Sequence, residues 1–116
     1  MNNFVRIIAN AGADRFTVHA RKAILKGLNP KQNRTKPPLK YDVVKKLKKF
    51  NPELLIEING GFTNIDESLK ALNDFDGVMI GRSAYKHPLR WSTIDQKVYG
   101  INTKPRSASD IIFSLI

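Results

Sequence analysis

The chain contains no cysteine. Disulfides, thiolate-bound metals and a cysteine nucleophile are therefore excluded from its own chemistry. It has only two histidines, with no clustered carboxylate beside them, so no metal site is expected. Long apolar runs are missing too: nothing approaches the ~18 residues needed to span a bilayer. The opening Met1-Asn2-Asn3-Phe4-Val5-Arg6 lacks the apolar core of a secretory signal, so a soluble, cytoplasmic protein is expected. Acidic residues are scarce, 10 against 20 Lys and Arg, giving a net charge of +10 and a pI near 10.1. That imbalance favours a polyanionic partner, nucleic acid first. Length is the last limit. The 116 residues allow one domain with a modest core, well short of the ~250 of a complete eight-stranded α/β barrel.

What is present is a repeated pattern. Arg15 to Val18, Leu54 to Ile58 and Val78 to Ile80 are brief runs rich in β-formers, each ending abruptly in polar or glycine residues and followed by a helix-like segment. This predicts β-strand/α-helix units in a parallel sheet. A helix is expected over residues 3–12 with Phe4, Ile7, Ile8 and Ala11 on one face and Gly12 where it would stop. A second runs from Asp42 to Phe50, burying Val43 or Val44, Leu47 and Phe50 and ending at Asn51-Pro52. A third runs from about Asp66 to Leu72, capped by Thr63 or Asn64. Residues 20–40 read as a long irregular excursion, and 101–109 as a linker. From Asp110 a helix carries Ile111, Ile112, Phe113, Leu115 and Ile116, an apolar end that reads as cut off.

In such folds, binding groups stand just past the carboxyl ends of the strands. Asn59-Gly60-Gly61 and Gly81-Arg82 stand at two of those ends, and His19 at the third. Gly60 and Gly61 can adopt positive φ and admit an anion to the main chain, and the same argument extends to Gly81. Arg82 adds a charge-assisted contact. A tight turn alone explains one Gly-Gly pair. Two consecutive strands ending this way, 20 residues apart, favour a phosphate site. His19 on its own reads as either structural or functional, and His87 before Pro88 receives no role.

The excursion is the second signal. Between Asp14 and Asp42 there is no acidic residue, yet positions 21–40 hold Arg21, Lys22, Lys26, Lys31, Arg34, Lys36 and Lys40. Such a loop suits a phosphate backbone. Lys45, Lys46, Lys48 and Lys49 read instead as the solvated face of a helix, with Asp42 pairing Lys46.

Taken together, His19-Ala20-Arg21-Lys22-Ala23, Gly27 to Arg34, Pro37-Pro38-Leu39, Ile58-Asn59-Gly60-Gly61 and Gly77 to Arg82 resemble the tRNA-dihydrouridine synthases, the A-type bacterial subfamily in particular. The likeness covers roughly residues 13–100. It implies an FMN-dependent α/β barrel with a carboxyl-terminal helical domain. With NADPH as reductant, these enzymes reduce the C5–C6 double bond of uridines in tRNA. Carried over by position, the resemblance makes His19 a flavin-site residue. It places Asn59, Gly60, Gly61, Gly81 and Arg82 at the FMN phosphate and ribityl chain, and Lys31 and Arg34 against tRNA.

The departures are as informative. The family's proton-donating cysteine and a flavin-contacting lysine belong to segments that precede these, and neither is here. The expected fold is thus a partial TIM (β/α)8 barrel, about the last three strands and their helices over residues 1–100. Residues 101–116 are a linker and the start of the helical tRNA-binding domain. The chain reads as the product of a truncated or split gene, or as a designed fragment, with no catalytic residue of its own. It is expected to be inactive alone. Its partners would be tRNA and a separate chain supplying the missing barrel, or further copies of itself. The alternatives are a fragment of another FMN barrel oxidoreductase, or a basic RNA-binding remnant without catalysis.

Overall fold

A computed structural model describes residues 1–114. Three parallel strands form its centre in sequential order: β1 (Arg15–His19), β2 (Leu55–Asn59) and β3 (Gly77–Met79). Each differs from the expected run by a residue or two at its ends. The alternation in β2 explains the sheet's placement. Ile56 and Ile58 are 0% exposed, while Leu55, Glu57 and Asn59 point the other way. Register aligns Phe16 with Ile56, and Val18 with Ile58 and Val78, so one face of the sheet is apolar throughout.

Helices α1 (Asn2–Asn10) and α3 (Tyr41–Phe50) contribute Val5, Val44 and Leu47 to the core with those isoleucines, and Phe75 joins from the approach to β3. Between β1 and α3 lies α2 (Pro30–Asn33), and α4 (Ile65–Leu72) connects β2 to β3. After β3 come α5 (Arg82–Lys86), a 3-10 turn over Pro88–Trp91, α6 (Ile94–Tyr99) and α7 (Ala108–Phe113). Leu115 and Ile116, expected in the last helix, lie outside the described residues. No helix among the described residues is long and apolar enough to cross a membrane.

Several expectations are corrected. On α1 it is Val5 that is buried, while Phe4 and Ile7 are 67% and 70% exposed. The cause is Asn51, which is fully buried. It accepts a hydrogen bond from Arg6 (3.0 Å) and donates to the side-chain oxygen of Asn2 (2.8 Å) and to the Leu47 carbonyl (2.8 Å). Asn2 and Arg6 stand one turn apart, so gripping both turns the Val5 side of the helix toward α3. Phe50, expected inside, is 66% exposed, and Val43 is exposed while Val44 is buried.

Two of the four lysines of α3 are not simply solvated: Lys45 pairs with Asp74 (2.6 Å) and Lys48 with Asp76 (2.7 Å). No Asp42–Lys46 ion pair forms among the described residues. Asn64 caps α4, accepting from the Glu67 N–H (2.9 Å). Thr63 instead donates to the Glu67 carboxylate. Helix α7 begins earlier than expected, because Ser107 caps it reciprocally with Asp110. Helix α6 was not expected at all.

The excursion over residues 20–40 is more ordered than its composition suggests. It is closed at its base by the Lys40 N–H donating to the Ala20 carbonyl (2.7 Å). Inside it, Asn29 and Gln32 form a capping box on α2. The Asn33 side chain accepts from the Ile24 N–H (2.7 Å) and donates to the Ile24 (2.9 Å) and Leu28 (3.3 Å) carbonyls. Arg21 donates to the Pro37 carbonyl. Over residues 21–36, none of them buried, local hydrogen bonds replace apolar packing.

Candidate functional site

The ends of the three strands form one row. Register sets His19 beside Asn59 and Asn59 beside Met79, and all three line a cleft of about 430 Å³. The turns that follow the strands complete it. Gly60 and Gly61 come from the β2 side, Gly81 and Arg82 from the β3 side, and Arg34 reaches in from the excursion. The structure thus brings together His19, Asn59, Gly60, Gly61, Gly81, Arg82 and Arg34. Lys31, exposed on α2, does not line the cleft.

The turn after β2 is tightly constrained. Gly60 and Gly61 have φ of +125° and +83°. A Cβ on Gly60 would stand 2.8 Å from Leu39 Cδ2, and one on Gly61 would stand 2.6 Å from Leu39 Cδ1 and 3.1 Å from the Tyr41 hydroxyl. The Tyr41 hydroxyl donates to the Gly60 carbonyl, fixing the turn from below. Gly81 differs. Its φ is −108°, and an added Cβ would come no closer than 3.8 Å to any atom, so the left-handed argument does not apply there.

The walls are cross-linked. Arg82 Nη2 donates to the Arg34 carbonyl (3.1 Å), tying α5 to the excursion, and Ser83 Oγ donates to the Thr63 carbonyl (3.2 Å), tying it to the β2 turn. Only one guanidinium hydrogen bond of Arg82 is used in this way, which leaves further donors for a ligand.

Electrostatically the cleft is one-sided, since no carboxylate among the described residues lines it. The His19 imidazole is held below its ordinary value, first by burial and then by the Arg21 and Arg82 guanidiniums, so it stands neutral at pH 7. The Tyr41 hydroxyl is pushed up by burial and by Glu67, with Arg21 opposing. A second cavity of about 410 Å³ opens between α3 and α4 on the rings of Tyr41 and Phe62 (centroids 5.6 Å apart). Its lining carries the carboxylates of Glu67 and Asp74 beside Lys45 and Lys70, with Lys45 paired to Asp74, so it offers an anion less. Among the described residues no three His, Asp or Glu side chains gather as a metal site.

Sequence reasoning missed part of the lining. Thr63, Ser83, Lys86, His87 and Arg90 all face the cleft. A signal existed, because Arg82, Lys86 and Arg90 recur every fourth residue. Pro88 argues against one helix through them, and indeed α5 stops at Lys86. A separate 3-10 turn, anchored by the buried Trp91, carries Arg90.

Comparison with known proteins adds a second line. The model of a family described as Dihydrouridine synthase (Dus) matches residues 1–112. The tRNA-dihydrouridine(20/20a) synthase of Synechocystis sp. is 52% identical over 110 residues, which is 95% of this chain and 33% of that protein. The enzyme of the same description from Pseudomonas putida is 44% identical over 115 residues, 99% of this chain and 34% of that protein. The one from Vibrio cholerae is 39% identical over 117 residues, covering 100% of this chain and 36% of that protein. The chain spans about a third of the length of the curated relatives it matches.

Proposed function

The chain belongs to the dihydrouridine synthase family, and on that premise we propose that it is the part of a tRNA-dihydrouridine synthase that holds the phosphate end of FMN and one flank of the tRNA. The observation that carries the reading is the single cleft, free of carboxylates, in which His19, Asn59, Gly60, Gly61, Gly81 and Arg82 meet. Its volume of about 430 Å³ falls among small-ligand pockets, and its charge suits a phosphate. The residues fit the cofactor.

In this reading FMN supplies hydride for reduction of the uridine C5–C6 bond, with NADPH as the reductant. The chain's residues position and neutralise. The Gly60-Gly61 main chain and Arg82 hold the phosphate. His19, neutral, offers one N–H and one lone pair rather than a charge. Asn59 gives its side-chain amide to the ribityl chain. Lys31 and Arg34 meet tRNA phosphates. A proton for uridine C5 comes from outside this chain, which has no cysteine, so the chain alone is inactive.

The fold belongs to the proposal. Residues 1–100 would form about the last three strands of a (β/α)8 barrel with their helices, and 101–116 a linker and the start of a helical domain. What supports this is the sheet's second face. Thr17 donates to Glu57 (2.7 Å) and Arg15 stands 3.6 Å from the same carboxylate, a polar layer left open within this chain. Parallel sheets are ordinarily covered on both faces. A complementary chain, or self-association, would cover it, in the cytoplasm where tRNA is modified.

The test is reconstitution. Purified chain given FMN, NADPH and unmodified tRNA should form no dihydrouridine and should be colourless. Adding the remaining two-thirds of a relative as a second polypeptide should give yellow, active material. In that complex Arg82→Ala should release FMN, whereas Lys31→Ala should weaken tRNA binding and keep the flavin. Flavin retained by Arg82→Ala would refute the assignment.

A further inference from the structure

The cleft carries more positive charge than one phosphate requires. A phosphomonoester brings about −1.5 to −2 at neutral pH, while Arg34, Arg82, Lys86 and Arg90 put four basic side chains on the lining. All four are exposed, and none is neutralised: the five ion pairs among the described residues use Arg6, Arg15, Lys45, Lys48 and Lys97 instead. The surplus is also placed in two groups. Arg34 stands on the acid-free excursion, and Lys86 and Arg90 stand on α5 and the 3-10 turn that follow β3. The Arg82–Arg34 hydrogen bond fastens the two walls to each other.

We propose that Lys86 and Arg90 form a second phosphate-binding wall that engages the tRNA backbone opposite the basic excursion, so that the RNA straddles the mouth of the cleft. This deepens the tRNA reading above and rests on it. RNA is favoured over a free dinucleotide because the charge does not stop at the cleft. Lys31 and Lys36 are exposed on the same acid-free excursion as Arg34, which suits a chain of phosphates better than a single nucleotide. A backbone bound on both flanks would present an unstacked base between them, which is how a reaction on a base edge must be fed.

The test measures binding of a fluorescent tRNA transcript to the purified chain across a salt series. Lys86→Ala with Arg90→Ala should weaken binding about tenfold or more and lower the slope of log K against log salt by about two. Lys31→Ala with Arg34→Ala should do the same from the other side. Lys46→Ala with Lys49→Ala, on α3 and off the cleft, should leave the affinity and slope nearly unchanged. If the far-wall pair changes nothing while the loop pair weakens binding, the proposal falls and the tRNA reading stands. If neither pair matters, both fall. If all three pairs weaken binding equally, the chain binds as a diffuse polycation and the proposed wall does not exist. If the far-wall pair weakens NADPH binding and spares tRNA, the wall serves a dinucleotide phosphate and the proposal is overturned.

Discussion

The turns after β2 and β3 both put glycine on the floor of one cleft, and they are held by different means. After β2 the constraint is in the turn itself. Gly60 and Gly61 are left-handed, Leu39 fills the space a side chain would need, and Tyr41 binds the Gly60 carbonyl. After β3 the turn is sterically open, and the strand is secured from its other end. There Asp76 accepts from the Ile56 N–H (2.8 Å) and from Lys48 (2.7 Å), while its own N–H donates to the Ile56 carbonyl (3.1 Å). The same residue type at equivalent strand ends therefore says little about constraint. What matters is which neighbours close on it.

The largest effect expected from this contrast is Gly61→Ala. A left-handed alanine costs about 1–2 kcal/mol, and overpacking against Leu39 adds about 1–3 kcal/mol. Gly81→Ala should stay within about 0.5 kcal/mol. Denaturant unfolding of the two variants side by side measures the difference, and equal losses would erase the distinction between the turns.

Next comes the anchor of β3. Burial would raise the Asp76 carboxyl, but hydrogen bonds from Lys48 and the Ile56 N–H outweigh it and hold the group below its ordinary value. A depressed carboxylate contributes stability above its unfolded pKa of about 3.9, and that contribution is lost as pH falls through the folded value. Asp76→Asn should cost about 1–3 kcal/mol at pH 7 and flatten the acid limb of the stability profile. An unchanged acid limb would mean that Asp76 is not what holds β3.

The smallest effect is read at the floor they share. His19 titrates below its ordinary value, so its neutral form is the one the fold favours. That stability is complete above about pH 6.5 and declines as pH falls through the lower, folded value. Removing one cation with Arg82→Ala should move the His19 titration upward in an NMR pH series, with burial and Arg21 keeping part of the depression. No movement would place Arg82 too far from the β1 end to share a site with it.

Much of this was readable from residue order. Strand–helix alternation, the site at the strand ends and the basic excursion all follow from short β-rich runs, from glycine placement and from the missing acids. The rotation of α1 was not readable, because Phe4 and Ile7 are as apolar as Val5. A buried asparagine 49 residues from Asn2 decides between them. Nor was the split role of the α3 lysines, since Asp74 and Asp76 reach them only once β3 has paired with β2. Lys86 and Arg90 were visible as a four-residue spacing, but Pro88 broke the helix that spacing implies.

By itself, then, the sequence determined the local chemistry of each strand end: backbone freedom at Gly60 and Gly61, an imidazole at His19, and cations without counter-charges along residues 21–40. Those properties belong to single residues and their immediate neighbours. Only the tertiary structure decided that Gly60, Gly61 and His19 share one cleft with Arg34 of that stretch. Parallel register is what sets His19, Asn59 and Met79 in a row, and two long-range hydrogen bonds, Arg82 to Arg34 and Ser83 to Thr63, bring the later walls to them. Side chains far apart in the chain acquire a common electrostatic environment only when burial and pairing fix the distance between them.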